Sequence, residues 1–161
     1  MRVPGRVHIE WQDDNTLKVE MDSGTQTRLF HFGGGQPPAG QPTLQGYSTA
    51  NWEAPPGAQN AAAANNSPGA VVGQKTTGGS LKVITDHLKA GYLRKNGVPY
   101  SANAKLTEYY TRTNEPNGDS WLIVTTIVED PQYLNTPFIT STHFKKQNDA
   151  SGWMPTPCTS R

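Results

Sequence analysis

In "AKLTEYYTR", residues 104–112, Glu108, Tyr110 and Arg112 follow Leu106 at a spacing of two. Side chains two apart on an extended chain share a face, so a carboxylate, a phenol and a guanidinium line up beside an apolar residue. A carboxylate on an apolar face costs on the order of several kcal/mol unless it is paired. Glu108 is therefore expected to have a partner, and Arg28 and Arg112 are the candidates. The pair is either a structural ion pair, or it holds Glu108 as a general base or ligand anchor. With Glu108 as base and Tyr110 or Arg112 donating to a developing oxyanion, the set meets the minimum needs for opening a lactone or ester.

A second cluster lies in "TNEPNGDSWLIVTTIVEDPQY", residues 113–133. Asn114, Glu115, Asn117 and Asp119 surround Gly118, and a hard cation such as calcium takes roughly six to eight oxygens of this kind. Glu115, Asn117 and Asp119 are the candidate metal ligands. Asn-Gly is also a hairpin signal in its own right, so a plain turn fits the same residues. Glu129 and Asp130 follow after a strand of about ten residues at about 3.3 Å each, which puts them at the opposite end of the fold. Calcium at the turn would then be structural, apart from the Glu108 chemistry. His8, His31, His87 and His143 do not fall at chelating intervals, although His87 shares a face with Leu81 and Val83. "HFGGGQP" lacks the spacing and the helix that phosphate binding requires, and no hydrolase or zinc-peptidase motif is present.

These residues need strands to position them, and period-2 alternation dominates the chain. "RVHIEW" and "TLKVEM", joined by the turn-forming "QDDNT", read as a hairpin over residues 6–21 with one wet face. "TRLFHF" follows and turns His31 away from Phe30 and Phe32. A strand within 43–53 carries Tyr47 and Trp52, and "SLKVITDHL", "AKLTEYYTRT", "SWLIVTTIV" and "PFITSTHFKK" complete the set, with Asn96-Gly97 marking a tight turn. In "SWLIVTTIVED" the Trp121, Ile123, Ile127 phase is taken as the apolar face leading to Glu129. The sequence predicts an all-β chain: a single antiparallel barrel of about eight strands, lipocalin-like, or a two-sheet sandwich. Closure is attractive because it removes unpaired edges. Residues 1–161 read as a single β domain, with 54–79 a Gly/Pro/Ala/Asn-rich surface insertion and 146–161 an irregular tail.

Composition narrows the function classes. The 161 residues are 34% hydrophobic with a net charge of +1, and the mean hydropathy is −0.67. Charges of both signs are mixed, which argues against nucleic-acid and anionic-membrane binding. No apolar run reaches the roughly 20 residues of a membrane span. Cys158 is the single cysteine, which excludes a thiolate metal site and leaves any disulfide partner to a longer natural chain.

"LQGYSTANWE", "LKVIT", "GVPYS", "LTEYYTR" and "TTIVEDPQYLNTPF" together resemble a largely uncharacterised, exported, β-rich family of soil bacteria. Its members carry G-[YH]-S…W-E, G-x-P-x-S, T-E and D-P-x-[YF] elements. The resemblance spans residues 5–145 apart from the 54–79 insertion and implies a periplasmic or secreted protein whose natural chain begins upstream behind a signal peptide. It implies no catalytic residues. In size the chain also resembles a calcium-dependent acyl-homoserine lactonase recovered from metagenomic DNA, which implies a small lactone or ester hydrolase. The alternative is a non-catalytic barrel in the cell envelope that encloses a small apolar ligand, with Arg28, Trp52 and Trp121 as contact residues and Trp11 and Tyr110 as further lining. A packed interaction or structural domain is the third reading.

Overall fold

The computed structural model describes residues 5–35, 37, 39–54, 79–93 and 97–158. They form β1 (Val7–Asp13), β2 (Thr16–Met21), β3 (Gln26–Phe32), β4 (Tyr47–Glu53), β5 (Ser80–Asp86), β6 (Gly91–Tyr92), β7 (Pro99–Tyr100), β8 (Lys105–Asn114), β9 (Ser120–Glu129) and β10 (Phe138–Lys145). No helix occurs among the described residues. Eight strands make one sheet in the order β1-β2-β3-β4-β5-β8-β9-β10, while β6 and β7 pair separately. The long sheet curls into a half-barrel.

The all-β expectation and the first hairpin hold: Val7 faces Met21 and Trp11 faces Leu17 across β1 and β2. Two details differ. The β3–β4 pair is parallel, because residues 33–46 give the chain enough length to cross over before β4 begins. The sheet also stays open, since β1 and β10 pair only with β2 and β9.

The curled inner face supplies the core. Leu17, Val19, Phe30, Ala50, Leu81, Val83, Tyr110 and Val124 form one buried cluster, with Val7, Phe32, Leu122 and Phe144 packed at its margin. These are alternate residues of successive strands, as the pleat requires. On β9 the phase is the reverse of the one expected. Val124, Thr126 and Val128 are buried, whereas Trp121, Ile123 and Ile127 are half-buried on the other face. Both phases of β9 are rich in apolar residues, and the pairing of Tyr110 with Val124 decides between them.

Except at its two ends, the expected 54–79 insertion lies outside the described residues, as does Asn96 of the tight turn; Gly97 beside it has φ of 81°. Beyond β10 the described residues 146–158 carry turns and bends with one isolated bridge, Ser23 to Thr156, and this segment is docked. The Thr156 N–H donates to the Asp22 carbonyl at 2.8 Å, and the Gly24 N–H donates to the Thr156 carbonyl at 2.7 Å. Trp153 meets His8 of β1 edge-on with ring centres 5.9 Å apart. The tail thus spans from the end of β10 to the start of β1, across the open seam.

Candidate functional site

Glu108 has the partner its position demands. Arg28 Nη1 lies 2.7 Å from Glu108 Oε2, with the two side chains 6% and 0% exposed. Arg28 Nη2 also donates to Thr85 Oγ1 at 3.0 Å and to Ser48 Oγ at 3.4 Å, and those two hydroxyls are 2.8 Å apart. On the far side Tyr110 Oη donates to Glu108 Oε2 at 3.4 Å, and Thr126 Oγ1 donates to Oε1 at 3.4 Å. A polar row therefore crosses β3, β4, β5, β8 and β9 through an otherwise apolar interior. Phe30 underlies it, with the Arg28 guanidinium 4.9 Å from the ring centre and Tyr110 edge-on at 5.4 Å.

Charge in this row is fixed. Burial pushes the Glu108 carboxyl up, yet the adjacent Arg28 charge pulls it down and prevails. Burial works against the Arg28 cation, and Glu108 more than offsets it. Burial and the Glu108 charge push the Tyr110 phenol far up. At neutral pH the row holds carboxylate, guanidinium and neutral phenol. A carboxylate held by a guanidinium is a weak proton acceptor.

Arg112, the other candidate partner, is elsewhere. It lies exposed near the end of β8, donating from Nε to Ser120 Oγ at 3.1 Å and from Nη2 to Asn114 Oδ1 at 3.5 Å. The structure brings Glu108 and Tyr110 together with Arg28 rather than with Arg112.

The 114–119 segment closes the β8–β9 hairpin. The Glu115 N–H donates to the Asp119 carbonyl at 2.8 Å, and the Gly118 N–H donates to the Glu115 carbonyl at 3.0 Å. Gly118 takes the left-handed φ of 87° that such a turn favours in glycine. Asn117 Oδ1 accepts from the Asp119 N–H at 2.9 Å, and Asn117 Nδ2 donates to Asp119 Oδ2 at 3.2 Å. Lys145 Nζ lies 2.7 Å from Asp119 Oδ2, and its hydrogen bond holds that carboxyl below the usual range. Calcium bound by Glu115, Asn117 and Asp119 would have to displace the Lys145 ammonium.

At the other rim Asp130 is buried and ties two loops. Ser101 donates to it from its hydroxyl at 2.9 Å as well as from its backbone N–H, and the Gln132 N–H donates at 3.0 Å. Burial pushes the carboxyl up, but these donors hold it below its ordinary 3.8. Asp130→Ala is expected to lower stability by about 2 kcal/mol, since backbone donors lose a charged acceptor. A depressed folded-state value means that this contribution is complete above about pH 4 and fades as pH falls through the folded value. A urea midpoint unchanged by the substitution at pH 7 would contradict the assignment.

The structure adds a cluster that alternation alone did not reveal. His8, Glu10 and Glu20 bring ligand atoms within 4.8 Å of one another, because β1 and β2 place His8 opposite Glu20 and Glu10 opposite Lys18. Lys18 Nζ sits between the carboxylates, 2.6 Å from Glu10 and 3.2 Å from Glu20. The ammonium already neutralises the place that a cation would take, so this is a cross-strand charge network on the wet face.

An opening follows from the missing β1–β10 pairing. A cleft of about 1150 Å³ lies along the seam, lined by Val7, Ile9, Trp121, Leu122, Phe144 and Trp153, among others. Arg6, Arg112, Lys145 and Lys146 also border it. Beside the 114–119 turn it adjoins a polar hollow of about 480 Å³, and the two share Arg112, Ser120, Lys145, Lys146 and Gln147. Of the residues expected to contact a ligand, Trp121 lines this cleft, Arg28 belongs to the interior row, and Trp52 is 66% exposed. Trp52 ends a short aromatic stack, 6.1 Å from Phe32, which is in turn 5.2 Å from Trp11. The cleft was hidden from sequence reading because it depends on where two distant edges stop.

Against protein-family models, curated proteins and solved structures, the chain finds no match. Among the described residues no helix is long and apolar enough to cross a membrane.

Proposed function

We propose that the chain is a binding protein whose ligand is a small, largely apolar molecule held in the seam between β1 and β10. The cleft carries this reading: its volume of about 1150 Å³ is slightly above the usual range of small-molecule sites, and Val7, Ile9, Trp121, Leu122, Phe144 and Trp153 give it an apolar stretch beside its polar and charged border. Its floor is the margin of the core, where Val7, Leu122 and Phe144 pack. The docked tail adds Trp153 as a further wall. Opening a lactone or ester with Glu108, Tyr110 and Arg112 fits the geometry less well. Glu108 is fully buried against Arg28, and of the three only Arg112 lines the cleft.

A neutral solvatochromic dye such as Nile red tests the reading. Its emission is expected to brighten and shift to the blue at one dye per chain. Ile9→Asp, which puts a charge on the lining, should abolish the signal, and Trp52→Ala should leave it intact. A dye indifferent to the native protein, or one that binds Ile9→Asp equally well at an unchanged melting temperature, would remove the cleft from the function. Incubation with lactones and esters, with and without EDTA, separates binding from hydrolysis, because a binding protein returns its ligand intact.

A further inference from the structure

We infer that the ligand of the seam cleft is a single alkyl or acyl chain ending in a carboxylate, with Arg112 and Lys146 receiving the anionic head. The inference rests on the binding reading above and adds the ligand's charge. The cleft does not end on an apolar wall; it runs on into the polar hollow that shares Arg112 and Lys146 with it. A molecule that fills both compartments has an apolar body and a polar end.

The charge balance says which polar end. Three cations, Arg112, Lys145 and Lys146, face one carboxylate, Asp119, in the hollow, and Lys145 already pairs with that carboxylate at 2.7 Å. Arg112 is anchored on two neutral groups, Ser120 and Asn114. These fix the plane of the guanidinium and leave its charge uncompensated. No carboxylate of the described residues lies within ion-pair distance of Arg112 or Lys146. Asp149, the acidic residue on the cleft lining, accepts from the backbone N–H and hydroxyl of Ser151. Arg112 also pairs across the sheet with Leu122, so the free cation stands where the apolar floor ends. A guanidinium fork there matches a carboxylate and gives no advantage to a neutral alcohol.

Titration calorimetry of the full chain with decanoate, decan-1-ol and decylammonium at low salt tests this. Decanoate is expected to bind at least about tenfold more tightly than decan-1-ol, with decylammonium weakest, and the gap should narrow at about 0.5 M salt. The double variant Arg112→Gln, Lys146→Gln should abolish the preference for decanoate over the alcohol. Both residues are exposed, so its melting temperature should stay near that of the parent. Arg112→Lys, which keeps the charge and loses the fork, should retain part of the preference. Equal binding of acid and alcohol, a preference for the amine, or an acid preference that survives the double variant would overturn the inference while the apolar binding reading stands. Failure of all three compounds and of Nile red to bind would end both.

Discussion

Glu108→Gln is expected to lower the unfolding free energy by about 3–5 kcal/mol, because it leaves the buried Arg28 guanidinium without its counter-charge. The substitution keeps side-chain shape, so little of the effect is lost packing. Urea denaturation reads it as a lower midpoint at an unchanged slope. A wild-type midpoint would mean that water reaches the pair. Removing the whole row is a different matter. Arg28→Met with Glu108→Leu would leave Ser48 and Thr85 bonded to each other at 2.8 Å but would strand the Tyr110 hydroxyl. The triple variant that adds Tyr110→Phe should therefore recover most of the lost stability. Acid acts on the same pair. The folded Glu108 carboxyl titrates below its ordinary 4.5, so its contribution is complete above about pH 4.5 and is lost as pH falls through the folded value. Glu108→Gln should flatten that part of the stability curve.

This pair also marks the boundary of what the residues disclose by themselves. Alternation puts Glu108 on the apolar face, and burial physics then demands a cation. It does not choose between Arg28 and Arg112, because face is a local property and the choice depends on how far the sheet curls. The curl lets Arg28 of β3 reach Glu108 of β8 across the interior and leaves Arg112 at the rim. The face of β9 is ambiguous in the sequence for a related reason: Trp121 and Ile123 are as apolar as Leu122 and Val124, so periodicity carries no phase and the register with β8 sets it. The parallel β3–β4 pair follows from a crossover whose path the Gly/Pro-rich sequence between the two strands does not specify. The cleft was least legible, since neither β1 nor β10 contains a signal for the partner it lacks.

Phe30→Ala should be as damaging as the loss of Glu108, at about 3–5 kcal/mol, and for a different reason. Phe30 is fully buried at the centre of a core made by one sheet curling on itself, and its neighbours are held by strand pairing on both sides. They cannot collapse far into the space left by the ring, so the cavity persists and its penalty adds to the lost transfer energy. Phe30→Leu, which refills most of the volume, should lose only about a third as much. The ring also lies under the Arg28 guanidinium, which couples it to the ion pair. Phe30→Ala combined with Glu108→Gln should then depart from additivity by about 1 kcal/mol, the lesser total arising because both changes act on the same cation. Strict additivity would show that ring and ion pair stabilise the fold independently. Phe30 does not line the seam cleft, so decanoate affinity measured well below the melting temperature should survive Phe30→Ala. Loss of affinity in a variant that is still folded would instead show that the seam owes its shape to the interior row, and that opening of the half-barrel is governed from Phe30 and Arg28 rather than at the edges of β1 and β10.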